Sequence, residues 1–143
     1  MKRIFLSLLL IFGQPVYNAA PPQSLNSGDV ATVWSAETPT PGTGNAAASQ
    51  QVALTIKGSR AGSPFSVDGQ FSAAPGAFEV DVQVSATDSD TSYQTCSNCN
   101  ITTVDATNQT FHLDAVQVNA KFARLLMRTR TNSVTITAKI TGG

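Results

Sequence analysis

The chain has 143 residues, 41% of them hydrophobic and 13% charged, with nine Lys and Arg against nine Asp and Glu. That charged share is about half of the ~25% usual in a soluble domain, yet the apolar content is too high for a disordered chain, and a neutral total offers no general attraction for nucleic acid or anionic lipid. One histidine and two cysteines exclude a His-rich metal centre and a multi-disulfide scaffold.

Met1-Lys2-Arg3 is followed by the apolar run Ile4–Phe12, a break at Gly13-Gln14-Pro15 and small residues at Ala19-Ala20. A basic head, a short apolar core and a small-residue exit form the secretory signal pattern. The run is well short of the ~20 residues that cross a bilayer as a helix. Residues 1–20 are therefore expected to be a signal peptide or a hydrophobic N-terminal arm, with no stable membrane span. Cleavage there would remove Lys2 and Arg3, leaving seven basic residues against nine acidic ones. All nine acids lie at or before Asp114, whereas five of those seven basic residues follow it: Lys121, Arg124, Arg128, Arg130 and Lys139.

Residues 21–50 are rich in Pro, Gly, Ala, Ser and Thr, which reads as an arm or linker. Within it Asp29–Trp34 has the composition of a short strand. Trp34 would either anchor that strand in a core or serve as a sugar-stacking platform.

From residue 51 the hydrophobic period is two. Val52, Leu54 and Ile56 share one face, and Gly58–Ser63 is a turn-rich break. Asp68-Gly69 carries the two-residue hairpin signal between Phe65/Val67 and Phe71. In Phe78–Ser85 the residues Phe78, Val80, Val82 and Val84 alternate with Glu79, Asp81, Gln83 and Ser85, which a strand gathers onto opposite faces and a helix would scatter. Weaker strands are expected at Tyr93–Thr95, Ile101–Val104 and Phe111–Val118. Lys121–Arg130 and Val134–Ile140 flank a short turn and form a closing hairpin. The expected fold is all-β: an antiparallel, jelly-roll-like sandwich of about eight short strands at 51–143.

Candidate chemistry is sparse. Cys96-Ser97-Asn98-Cys99 could be a redox pair, half of a zinc site or a short-loop disulfide. With no following helix to stabilise a thiolate and no second cysteine pair for zinc, a disulfide or inert thiols are expected. Asp88 and Asp90, with Asp105, could offer oxygens to calcium, but a solvated turn is the simpler reading. His112 lies between apolar neighbours without a nucleophile in an elbow motif, so an outward-facing strand residue is expected. Glu79 and Asp81 could act as paired carboxylates, or as partners for the arginines. Arg124, Arg128 and Arg130 share strand parity, which marks a basic face for a protein interface with Lys121, Lys139, Glu79 and Asp81. No aromatic residues interleave these arginines as single-stranded nucleic-acid platforms require. No catalytic constellation, cofactor motif or metal site is expected.

The stretch from Gly69 to Gly142 resembles small β-sandwich accessory proteins of tailed bacteriophage heads and tails. The resemblance is carried by FEVDVQVSATDSDTSYQT and VNAKFARLLMRTRTNSVTITAKITG: an amphipathic strand, an Asp-x-Asp loop with an aromatic after it, and a closing hairpin. It implies a non-enzymatic structural protein of a virion or extracellular assembly, partnered by its own copies or by other virion or envelope subunits. The alternative is a secreted or surface carbohydrate-binding module using Trp34, Tyr93 or His112.

Overall fold

The structure, a computed structural model, describes residues 22–54 and 63–143. The expected signal segment at 1–20 and most of the Gly58–Ser63 break lie outside the described residues. Among the described residues nine strands are formed in chain order: β1 (Gln23–Leu25), β2 (Val30–Glu37), β3 (Val52–Leu54), β4 (Ser63–Phe71), β5 (Phe78–Ser85), β6 (Gln94–Ile101), β7 (Thr110–Val118), β8 (Phe122–Arg130) and β9 (Ile136–Gly142).

They make two sheets, ordered β1-β3-β8-β5-β6 and β2-β9-β4-β7. The pairing is nested: β2 with β9, β3 with β8, β4 with β7, and β5 with β6, all antiparallel. The first half of the chain thus folds back on the second as one long hairpin rolled into two layers. Pairs β4–β9 and β5–β8 complete each sheet. This is a jelly roll, with β1 added outside it as a parallel neighbour of β3.

The period-two segments explain the core. In β5, Phe78, Val80 and Val82 point inward and meet Leu125 and Met127 of β8 within the same sheet. From the other sheet come Phe65, Val67 and Phe71 of β4 and Ile136, Ala138 and Ile140 of β9. Val and Ile suit this half-buried pleated surface.

Three expectations are corrected. The stretch expected to be an arm supplies β1 and, around the short strand expected at Asp29–Trp34, the longer β2, in which Trp34 is fully buried and anchors the core. A register shift between Thr32 and Trp34 makes Val33 an extra residue against β9, so Val33 and Trp34 both turn inward. The bulge breaks the period-two alternation within this strand. Second, Asp68-Gly69 is no turn but the middle of β4. Gly69 stands opposite Phe111, and a Cβ there would overlap the Phe111 ring. The glycine leaves space for an aromatic cluster in which the Phe71 centroid is 5.0 Å from Phe78 and 5.6 Å from Phe111. Third, Arg130 does not share a face with Arg124. A register shift opposite Glu79/Val80 leaves Arg128 as the extra residue of β8 and pairs Arg130 with inward-facing Phe78. One inserted residue reverses parity beyond it.

Candidate ligand-binding cleft

The closing hairpin expected of Lys121–Arg130 and Val134–Ile140 does not form: β8 pairs with β3 and β5 and β9 with β2 and β4, so the short turn between them crosses from one sheet to the other. The arginines of β8 are tied up internally. Arg124 is buried, its Nε donates to Gln83 Oε1 at 2.9 Å, and an NH1 group lies 3.1 Å from Asp90 Oδ1. Its guanidinium carbon is 4.1 Å from the centroid of Tyr93. Arg128 Nε lies 3.5 Å from Asp81 Oδ2. Asp81 is itself buried, and accepts from Thr95 Oγ1 at 3.0 Å and from Asn100 Nδ2 at 2.7 Å. The same Asn100 amide donates to Glu79 at 2.8 Å. Arg130 donates to the Val134 carbonyl at 2.6 Å, and burial pushes its guanidinium below the ordinary value. Lys121 is exposed in the β7–β8 connection, while Lys139 lies on the other sheet. The expected single basic face is therefore divided between two sheets.

Neither aromatic expected to stack on a ligand is free to do so. Trp34 is enclosed, and Tyr93 is buried beneath Arg124 with its hydroxyl 3.2 Å from Asp88 Oδ1. Burial, then the Asp88 charge and hydrogen bond, push the Tyr93 phenol well above its ordinary range. Asp88 and Asp90 thus fasten the β5–β6 loop to Tyr93 and Arg124. Cys96 and Cys99 are joined by a disulfide, with Cα atoms 5.3 Å apart, inside edge strand β6. Residues 96–99 bulge there between Thr95 and Asn100, opposite Val82, with Asn98 at φ 60°.

The outward face of β4, β7 and β9 is different. The register places Lys139, Asp68 and His112 in one row across three strands, and Thr137, Gln70 and Thr110 in the next. Both rows line an open cleft of about 700 Å³, walled by Thr103, Val104 and Asp105 from the β6–β7 loop. Asp105 holds that loop, accepting from Thr107 N and Asn108 Nδ2, each at 2.8 Å. These bonds hold its carboxyl below the ordinary range. Gln70 Nε2 donates to the Asn108 carbonyl at 3.2 Å, so the loop is braced within itself by Asp105 and fastened to β4 by Gln70.

His112 is held between two carboxylates. Its Nδ1 lies 2.6 Å from Asp68 Oδ1 and its Nε2 lies 3.1 Å from Asp114 Oδ1. The Asp68 hydrogen bond, opposed by slight desolvation and aided by the Asp68 charge and by Asp114, raises its pKa above the usual histidine value. A second carboxylate at Asp114 balances the ring, so both nitrogens are engaged and its orientation is set. Lys139 makes no ion pair or side-chain hydrogen bond among the described residues.

Of these residues only His112, Lys139 and Asp105, the last as a candidate calcium ligand, stood out in the local sequence pattern. Asp68 was read as part of a turn, and Gln70, Thr110 and Thr137 carry no short-range signal. Only the strand register joins them. Among the described residues no group of three or more His, Cys, Asp or Glu side chains is placed to hold a metal ion, and no helix is long and apolar enough to cross a membrane. Compared with known proteins, the chain matches no family model, no curated protein and no solved structure.

Proposed function

We propose that this protein is a non-enzymatic structural subunit of a virion or extracellular assembly, of the kind that serves as a head or tail accessory protein in tailed bacteriophages. It acts by contact with copies of itself or with other subunits. The reading is supported above all by the treatment of the sheet edges. An unpaired edge strand invites open-ended addition of further strands, and bulges are a common guard against it. Edge strands β2, β6 and β7 are each interrupted by register shifts, and β6 also carries the disulfide. Edge strand β1 alone keeps an unbroken register to its neighbour among the described residues. Such a surface favours one chosen contact over indiscriminate pairing. That contact would run along β1, where Gln23 and Ser24 are exposed and Leu25 is buried.

Analytical ultracentrifugation of the wild type and Ser24→Lys tests this. A lysine on an edge strand opposes strand addition. The expected result is concentration-dependent association of the wild type, weakened at least about tenfold by Ser24→Lys, with unchanged melting. A protein that stays strictly monomeric and is recovered from neither purified particles nor envelope overturns the reading.

A further inference from the structure

We infer that the cleft on the outward face of β4, β7 and β9 is a binding site for a neutral polyhydroxylated ligand, namely a sugar residue of a glycan. The inference is independent of how subunits assemble.

The dimensions come first. Neighbouring strands lie about 4.8 Å apart and alternate residues of a strand about 7 Å apart. The two rows of three side chains therefore span roughly 10 by 7 Å, the footprint of one or two sugar rings. The cleft volume, about 700 Å³, falls in the range of small-ligand sites.

The donor and acceptor order is the second point. Along the first row a donor, Lys139, stands beside an acceptor, Asp68, and Asp68 stands beside His112. The next row offers a hydroxyl, an amide and a hydroxyl in Thr137, Gln70 and Thr110. Adjacent hydroxyl groups on a ring both donate and accept, and a carboxylate beside an ammonium satisfies such a pair. Val104, half-buried in the loop wall, adds an apolar surface for the C–H side of the ring.

Charge selects among ligands. Asp68 and Asp105 in the lining, with Asp114 behind His112, oppose an anionic sugar, whereas Lys139 and the protonated His112 ring oppose a polycation. A neutral polyol meets neither penalty. Preparation is the last point: Asp68, Asp114 and His112 hold one another, and Asp105 and Gln70 hold the loop, so little ordering is left for the ligand to drive.

The test is a glycan array carrying neutral and sialylated glycans, followed by two-dimensional NMR titration of the full chain with methyl glycosides of glucose, galactose, mannose and N-acetylglucosamine. Binding of a neutral glycan is expected, with shifts confined to β4, β7, β9 and the β6–β7 loop. Lys139→Ala and Asp68→Asn are each expected to weaken it at least about tenfold, the loss of one charge-assisted hydrogen bond. Both positions are exposed, so cooperative melting curves, unchanged for Lys139→Ala and lowered for Asp68→Asn by no more than the surface pair with His112 contributes, will show that folding is intact. Array and titration without signal, binding confined to sialylated glycans, or binding that survives both substitutions overturns the inference.

Discussion

The guanidinium of Arg124 lies over the ring of Tyr93, 4.1 Å from its centroid, while the Tyr93 hydroxyl reaches Asp88 and the guanidinium reaches Asp90. These two residues close the β5–β6 loop onto the outward face of the five-stranded sheet. A long cation on a strand serves here as a lid over a phenol, and its stem and head are both buried.

Replacing Arg124 with Leu removes the bond to Gln83, the contact with Asp90 and the ring contact, leaving the Gln83 oxygen without its donor. Asp90 is largely exposed, so its share is small. A loss of about 2 kcal/mol is expected from the buried bond and the ring contact, read from urea denaturation. The same environment keeps Tyr93 protonated. A phenol whose folded pKa lies above its unfolded value near 10.0 stabilises the fold below that value, and the contribution disappears as pH rises through the folded one. Absorbance titration should show the Tyr93 phenol ionising only above the ordinary tyrosine range, and Arg124→Leu should move it further upward, since the guanidinium is the one neighbouring charge that lowers it while Asp88 and Asp90 raise it.

His112 is the one histidine of the chain, so its C2 proton can be followed by NMR without assignment. Its midpoint should lie above the free-histidine value of 6.5 and fall toward it in Asp68→Asn, with a smaller fall in Asp114→Asn. Because the folded value is raised, the linked stability is fully present below the unfolded pKa and is lost as pH rises through the folded one. A midpoint at or below 6.5 would show that the carboxylates do not hold the ring.

Gly69→Ala should destabilise by about 1–3 kcal/mol, because the methyl group enters the space of the Phe111 ring. The paired change Gly69→Ala with Phe111→Leu should recover part of that loss relative to Phe111→Leu alone. A double-mutant cycle in urea checks it. Additive losses would mean that the ring is not what requires the glycine.

The Cys96–Cys99 disulfide closes a loop of only a few residues, so the chain-entropy contribution is at most about 2 kcal/mol. Reduction, or Cys96→Ser with Cys99→Ser, should lower stability by no more than that while far-ultraviolet circular dichroism stays that of a β-protein. Global unfolding on reduction would show that the bridge does more than brace an edge bulge.

The residues announce the fold wherever one side of a strand is buried without interruption. Phe78, Val80 and Val82 alternate cleanly, as do Ile136, Ala138 and Ile140, and both sets lie in the core. Reading failed where a bulge reset the alternation. Past the bulge at Val33 the strand was legible only as far as Trp34, although it continues to Glu37, and Arg130 lands on the face opposite Arg124. It failed again at Asp68-Gly69, where the glycine answers a ring from a strand more than forty residues away rather than a turn. The cleft was hidden for the same reason. His112 and Asp68 are 44 positions apart, and their contact depends on strand register, which short-range patterns do not encode.

The nested pairing also has a kinetic side. Val84 and Gln94 close the innermost hairpin across a short loop, whereas Ala36 and Thr137, joined through a side-chain hydrogen bond, are 101 positions apart. Closing a tenfold longer loop from an open chain costs about 2 kcal/mol more in entropy. A chain that pairs inward strands first meets that cost in small steps, each pair shortening the span left for the next. The two ends of the roll are then the last to meet. A nascent chain would already hold its inner hairpin before residues 136–142 had emerged to pair with β2.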